Sequence, residues 1–190
     1  ALIDDLGYRG PSLLFKAVLA ARHAVRKPAF FKCAIDLGCG TGLAASAFAR
    51  EVDRFIGIDL SPGMIEKAKA TGLYAELEIS DMLEGLRVRA YSSADLILAA
   101  DAMVYVPDLV PVLTEVNRVL AAGGLVAFTL ERHAGDGVIL GDGLRYAHSP
   151  NYVRSALAAA CLTISQCEEQ SFRTESNVPV PGLVAVAAKA

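Results

Sequence analysis

An apolar strand that runs into three closely spaced glycines and then into an alanine-rich segment constrains this chain more than any other feature. The stretch is Ile35-Asp36-Leu37-Gly38-Cys39-Gly40-Thr41-Gly42. Glycine at 38, 40 and 42 permits positive φ angles and lets a ligand approach a backbone with no Cβ in the way. The helix expected over residues 43–50 aims its unpaired N–H groups and positive dipole end at whatever the loop holds, which favours an anionic group there. The expected element is a cradle for a nucleotide-type cofactor.

The spacing narrows the cofactor. A dinucleotide fingerprint needs G-x-G-x-x-G, but here the third glycine comes one residue early and Leu43 stands in the sixth place, which disfavours NAD. Asp36, at the carboxyl end of the strand, is a buried-type carboxylate in need of a strong partner, and a cationic amine suits it. Phe55 to Ile58 reads as a second strand ending in Asp59, placed to accept charge-assisted hydrogen bonds from two ribose hydroxyls. NAD enzymes share that acid, so it does not discriminate.

With loop, acid and spacing together, the chain resembles the class I S-adenosylmethionine (SAM)-dependent methyltransferases, whose first motif D-x-G-x-G-x-G reads here as Asp36, Gly38, Gly40 and Gly42. The resemblance implies SAM as cofactor and S-adenosylhomocysteine as product. It implies an α/β, doubly wound, mostly parallel seven-stranded sheet in the order 3-2-1-4-5-7-6, with strand seven antiparallel and helices on both faces. It also implies cofactor contacts from Cys39, Thr41, Asp59, Leu60 and Ala99, and from Ser80-Asp81-Met82 near the adenine. More narrowly, Gly7-Tyr8-Arg9-Gly10-Pro11 and Gly143-Leu144-Arg145-Tyr146-Ala147-His148-Ser149 resemble a bacterial methyltransferase-like subgroup often joined to tetratricopeptide repeats.

At 190 residues the chain has a single-domain length, read as one SAM-binding domain over 1–190 with an N-terminal helical segment at 1–28. It begins with Ala1, and Leu2 to Leu6 reads like the continuation of an upstream segment, a tetratricopeptide region if the subgroup holds. The net charge of −3 gives no general pull towards a phosphate backbone, so no nucleic-acid partner is expected. Arg22, Arg26 and Lys27 share helical spacing and read as a solvated face. No run of 18 apolar residues and no leader pattern occurs, so the expectation is a cytoplasmic protein with no membrane association. The four cysteines form no C-x-x-C pair and have no ligand-spaced histidines, which leaves no metal site and reads as free, mostly buried thiols.

Along the chain, strands are expected at 31–37, 54–58, 74–79, 95–99 and 125–130, with helices between them in a βαβ rhythm. Ser61-Pro62 caps a helix running to about Ala70, and a helix from about Leu109 to Leu120 stops at Gly123-Gly124. Four glycines break 133–148 into a hairpin insertion. A helix near 150–160 and strands at 162–171 and 183–188 complete the pattern.

SAM requires a donor for its carboxylate, acids for its ammonium and ribose, and apolar cover for adenine. Loop N–H groups and the Tyr8-Arg9 pair are candidates for the carboxylate, Arg9 being equally suited to a surface ion pair. Met64 reads as adenine cover or core filler, and Asp81 as an adenine acceptor or a helix cap. Methyl transfer relies on positioning, and a base is needed only where the acceptor carries a proton. Asp101 after strand four, Tyr105 one turn on, and His148 after the hairpin are the catalytic candidates; a cap or ion pair is the alternative for Asp101. The tetrapeptide [D/N/S]-P-P-[Y/F/W] of amino-directed nucleic-acid and protein methylases is absent after strand four, where Ala99-Ala100-Asp101-Ala102 stands, so a small-molecule acceptor leads. An NAD(P)-dependent oxidoreductase and a non-catalytic SAM-binding module remain as alternatives.

Overall fold

Alternation of apolar runs with capped amphipathic segments produces the strand–helix rhythm of the computed structural model, which describes residues 8–190. Gly7 and the Leu2–Leu6 segment lie outside the described residues. A first helix, α1 (Gly10–Ala24), carries Pro11 in its opening turn, where its missing N–H costs nothing. Then come β1 (Phe31–Leu37), α2 (Leu43–Ala47), β2 (Val52–Asp59), α3 (Pro62–Ala70), β3 (Tyr74–Ile79), α4 (Met82–Arg87) and β4 (Ala94–Ala99). Ser61 caps α3 by accepting from the Met64 N–H at 3.3 Å, and Pro62 follows at the first helical position.

A 3₁₀ turn (Met103–Tyr105) leads to α5 (Val110–Val119) and to the long β5 (Leu120–Arg132). The segment expected to stop a helix at Gly123-Gly124 is therefore the start of a strand. Gly123 has φ +77, a Cβ on Gly124 would meet the Ala121 carbonyl at 2.9 Å, and the β4–β5 register shifts between Ala94 and Leu96. The glycines thus accommodate an irregular strand entry. The rest is β6 (Val138–Leu140), β7 (Tyr146–His148), α6 (Pro150–Ala159), β8 (Leu162–Glu169), β9 (Thr174–Glu175), β10 (Val178–Pro179) and β11 (Gly182–Lys189).

The main path of the sheet is β3-β2-β1-β4-β5-β11-β8, with β11 antiparallel to both neighbours and the first five strands parallel. It differs from the seven-strand expectation because β6 and β7 form an antiparallel hairpin that docks on the end of β5, giving nine strands. Side-chain alternation divides the core in two. Ile35 and Leu37 pack with α4, α5 and α6, while Ala34 packs with α1 and α2 on the opposite face. Each fully buried Leu or Ile there contributes about 1.5–3 kcal/mol.

Two readings of side-chain exposure are corrected. Arg22 is buried rather than solvated, its guanidinium 4.4 Å from the centre of the Phe31 ring. Of the free thiols only Cys39 is buried, and Cys161 is exposed. No helix among the described residues is long and apolar enough to cross a membrane.

Candidate functional site

The parallel strands β1 to β4 all deliver their carboxyl ends to one edge of the sheet, and the chain order reverses between β1 and β4. That reversal opens a crevice where open α/β sheets bind ligands. A cavity of about 790 Å³ occupies it, within the range of small-molecule sites. Gly38, Cys39, Gly40 and Thr41 line it with Asp36, Asp59, Leu60, Met64, Asp81 and Met82, and so do Tyr8, Asp101 and Tyr105.

The loop is rigid for identifiable reasons. Gly38 has φ +62, and a Cβ there would lie 2.6 Å from the Ala102 Cβ, so only glycine lets the β1 and β4 turns meet. Gly40 has φ +54 but faces open space, which leaves its backbone bare to a ligand. The Gly40 N–H donates to Asp59 Oδ2 at 2.9 Å and the Ser61 N–H to Oδ1 at 2.8 Å. Asp59 therefore ties the glycine loop to the β2 end and also lines the cavity. The α2 helix is only five residues long, with Gly42 at φ 98 as its N-cap, so its dipole is weaker than the expected eight-residue helix would supply.

Asp36 is 1% exposed, and its expected strong partner turns out to be a residue that sequence reasoning missed. The Tyr74 hydroxyl donates to Asp36 Oδ2 at 2.6 Å from two strands away. It reaches across β2 because Gly57, the register partner of Asp36, has no side chain; a Cβ there would lie 2.8 Å from the Tyr74 ring. Burial, offset in part by this hydrogen bond, pushes the Asp36 carboxyl up to about 7. Burial first, and then the nearby Asp36 and Asp59 charges, push the Cys39 thiol up to about 12, so it stays protonated and unreactive.

Of the other expected contacts, Met64 and Leu60 are exposed apolar side chains on the cavity, so Met64 is not core filler. Asp81 caps α4, with Oδ1 accepting from the Glu84 N–H at 3.0 Å, and also lines the cavity. Four expectations fail on position. Arg9 turns away: its guanidinium donates to the Ser171 carbonyl at 2.8 Å and its backbone N–H to Phe172. Gly42 packs against the Tyr74 ring, and Ala99 is buried in the core, Ala100 taking its place on the cavity. His148 is wholly buried, its Nε2 2.9 Å from the Val106 carbonyl behind the cavity wall, and burial lowers its pKa. A base so enclosed does not reach an acceptor; its ring braces the wall segment Val106-Pro107.

At the remaining end, Asp101 adopts φ +54, a strained conformation for a non-glycine residue, and its N–H donates to the buried Thr129 hydroxyl at 2.8 Å. Its carboxylate pairs with Arg145, whose Nη1 also donates to the Tyr105 hydroxyl at 3.1 Å. Burial raises the Asp101 pKa, with Arg145 opposing that rise. Arg145 lies inside a motif noted for resemblance alone, without an assigned role.

A family model described as a methyltransferase domain matches residues 35–128. Methyltransferase-like protein 27 of Homo sapiens is 33% identical over 131 residues, covering 67% of this chain and 51% of that protein. Aklanonic acid methyltransferase DauC of Streptomyces sp. (strain C5) is 31% identical over 111 residues, covering 55% of this chain and 50% of that protein. The chain thus spans about half the length of these relatives. Among solved structures, the 1,6-didemethyltoxoflavin-N1-methyltransferase of Burkholderia thailandensis, with 1,6-didemethyltoxoflavin and S-adenosylhomocysteine bound, has a TM-score of 0.71. That likeness covers 93% of this chain and 78% of the other at 17% identity, and speaks for the fold.

Proposed function

For a chain that carries the methyltransferase domain in residues 35–128 and takes S-adenosylmethionine as its cofactor, we propose methyl transfer to a small-molecule acceptor. The observation that carries this reading is one cavity lined both by Gly40, Asp36 and Asp59 and by Asp101 and Tyr105; we assign the first group to the cofactor and the second to the acceptor. The residues fit the cofactor. The bare Gly40 backbone admits a flat or extended ligand, Asp36 offers the ammonium a buried carboxyl, and Asp59 offers the ribose free lone pairs. Asp81, Met82 and Met64 are assigned to adenine, and Tyr8 to the amino-acid end. SAM supplies an activated methyl group on a sulfonium. The chain contributes positioning, exclusion of water and, where the acceptor carries a proton, a carboxylate to take it. The link to a tetratricopeptide-associated subgroup, supported by the residue patterns at 7–11 and 143–149, and a cytoplasmic location belong to the same proposal.

Calorimetry with SAM, S-adenosylhomocysteine and NAD tests the reading, with binding expected for the first two alone. Tight NAD binding without SAM binding would overturn it. A screen of small hydroxyl, amine and carboxylate acceptors, followed by S-adenosylhomocysteine release, tests transfer; binding without release from any acceptor would make the chain a binding module. Asp59→Asn is expected to weaken S-adenosylhomocysteine about tenfold, near 1.5 kcal/mol, because the charge is lost and an NH2 replaces one of the two oxygens that accept from the Gly40 and Ser61 N–H groups. Equal affinity in that titration would remove Asp59 from the ribose site.

A further inference from the structure

Arg145 is the pivot of a charged network joining the β6–β7 hairpin to the acceptor end of the cavity. Its Nε donates to Glu131 Oε1 at 2.6 Å, and the same oxygen accepts from Arg173 Nη2 at 2.6 Å and Nε at 2.9 Å. Glu131 is on β5, so Arg145 is anchored from behind by the sheet, with its two Nη groups directed forward. Nη2 goes to Asp101 Oδ1 and Nη1 to the Tyr105 hydroxyl. Both recipients line the cavity, whereas Arg145 does not. The guanidinium also lies 5.4 Å from the Tyr105 ring centre. A rigid fork that engages two cavity groups and a fixed carboxylate at once is a device for holding geometry.

On these contacts we infer that Arg145 is a positioning residue which holds Asp101 as the proton acceptor for an acceptor molecule bearing an O–H or N–H. The inference rests on reading the cavity as the methyl-transfer site. Asp101 Oδ1 is occupied by Arg145, while Oδ2 carries no hydrogen bond among the described residues and is left for the incoming group. The charges facing Asp101 are Arg145 and, further back, Arg173 and Glu131; the Tyr8 hydroxyl is also near it, and the Tyr105 hydroxyl shares Arg145. In the reaction the acceptor's lone pair forms the new bond to the methyl carbon, the carbon–sulfur bond breaks with its pair left on sulfur, and the acceptor's proton goes to Asp101. A carboxylate acceptor has no proton to lose and would meet the Asp101 and Asp108 charges in a cavity lined, among the described residues, by no Lys, Arg or His.

The test uses the chain labelled with ¹³C at aspartate carboxyls and saturated with S-adenosylhomocysteine. In Arg145→Gln the Asp101 carboxyl is expected to titrate about 1–3 pH units higher than in wild type, and in Arg145→Lys most of that shift is expected to disappear. S-adenosylhomocysteine affinity should be unchanged in both. In the acceptor screen, hydroxyl and amine arms are run beside a carboxylate arm. With a hydroxyl or amine substrate, Arg145→Gln should lower kcat about tenfold or more at pH 7, leave KM for SAM alone and move the acid limb of the pH profile upward. Lysine should recover part of kcat. An unmoved Asp101 titration with normal S-adenosylhomocysteine binding, or turnover confined to carboxylate acceptors, would overturn the assignment of Arg145. Failure of wild type to bind S-adenosylhomocysteine would instead overturn the methyltransferase reading itself.

Discussion

Gly40→Val is expected to bind S-adenosylhomocysteine about a hundredfold or more weakly than wild type, while the variant still folds. The glycine has φ +54, so any side chain there costs about 1–2 kcal/mol of backbone strain. Nothing lies within 4 Å of an added Cβ, so the side chain starts into open space on the cavity, where the proposed cofactor would lie over the loop. Strain alone and blockage are separable. Gly72 also has a positive φ, +70, with nothing within 4 Å, but it does not line the cavity. Gly72→Val should therefore lose similar stability in a denaturant titration and keep full affinity in calorimetry. Equal weakening in both variants, or normal binding by Gly40→Val, would show that the loop is an ordinary turn.

That contrast between two glycines bears on what the sequence made legible. The strand, the glycine spacing and the acids at 36 and 59 are local patterns set by period and φ, and they put the glycine-loop part of the cavity within reach of reading. The partner of Asp36 was not legible, because Tyr74 meets it only through the order β3-β2-β1 and the missing side chain of Gly57. The Asp101 end fared worse for the same reason. Arg145 and Asp101 are brought together only when the hairpin docks on the end of β5. His148 sits three residues after Arg145, yet it is buried behind the wall and Arg145 points towards the cavity. Strand alternation puts the two on opposite faces, but which face meets the cavity depends on which side of the hairpin β5 occupies. Gly123-Gly124, a helix stop by composition, became an irregular strand entry because its flanks, Leu120 and Leu125, pair with Ala94 and Leu96 of β4.

The second large effect is expected from pH. The Asp36 carboxyl of the free chain, raised by burial to about 7 from an ordinary 3.8, is largely protonated in the mildly acidic range. A raised folded pKa means that the native state binds more protons than the unfolded one between about pH 4 and pH 7, so the ligand-free chain should lose stability as pH rises through that window. Binding has the opposite slope. An ammonium beside Asp36 favours the carboxylate, so the complex forms with release of a proton wherever the free carboxyl is protonated. Affinity for S-adenosylhomocysteine should rise up to tenfold per pH unit below about 7 and level off above it, roughly a hundredfold between pH 5 and pH 8. Calorimetry at pH 6 in buffers of different ionisation enthalpy should count about one proton released. Asp36→Asn keeps an oxygen for the Tyr74 hydroxyl but cannot titrate; its affinity should be flat across the same range and weaker than wild type at pH 8. A wild-type profile without slope, or a slope that survives in Asp36→Asn, would place the ammonium away from Asp36 and leave this carboxyl with a structural role between β1 and Tyr74.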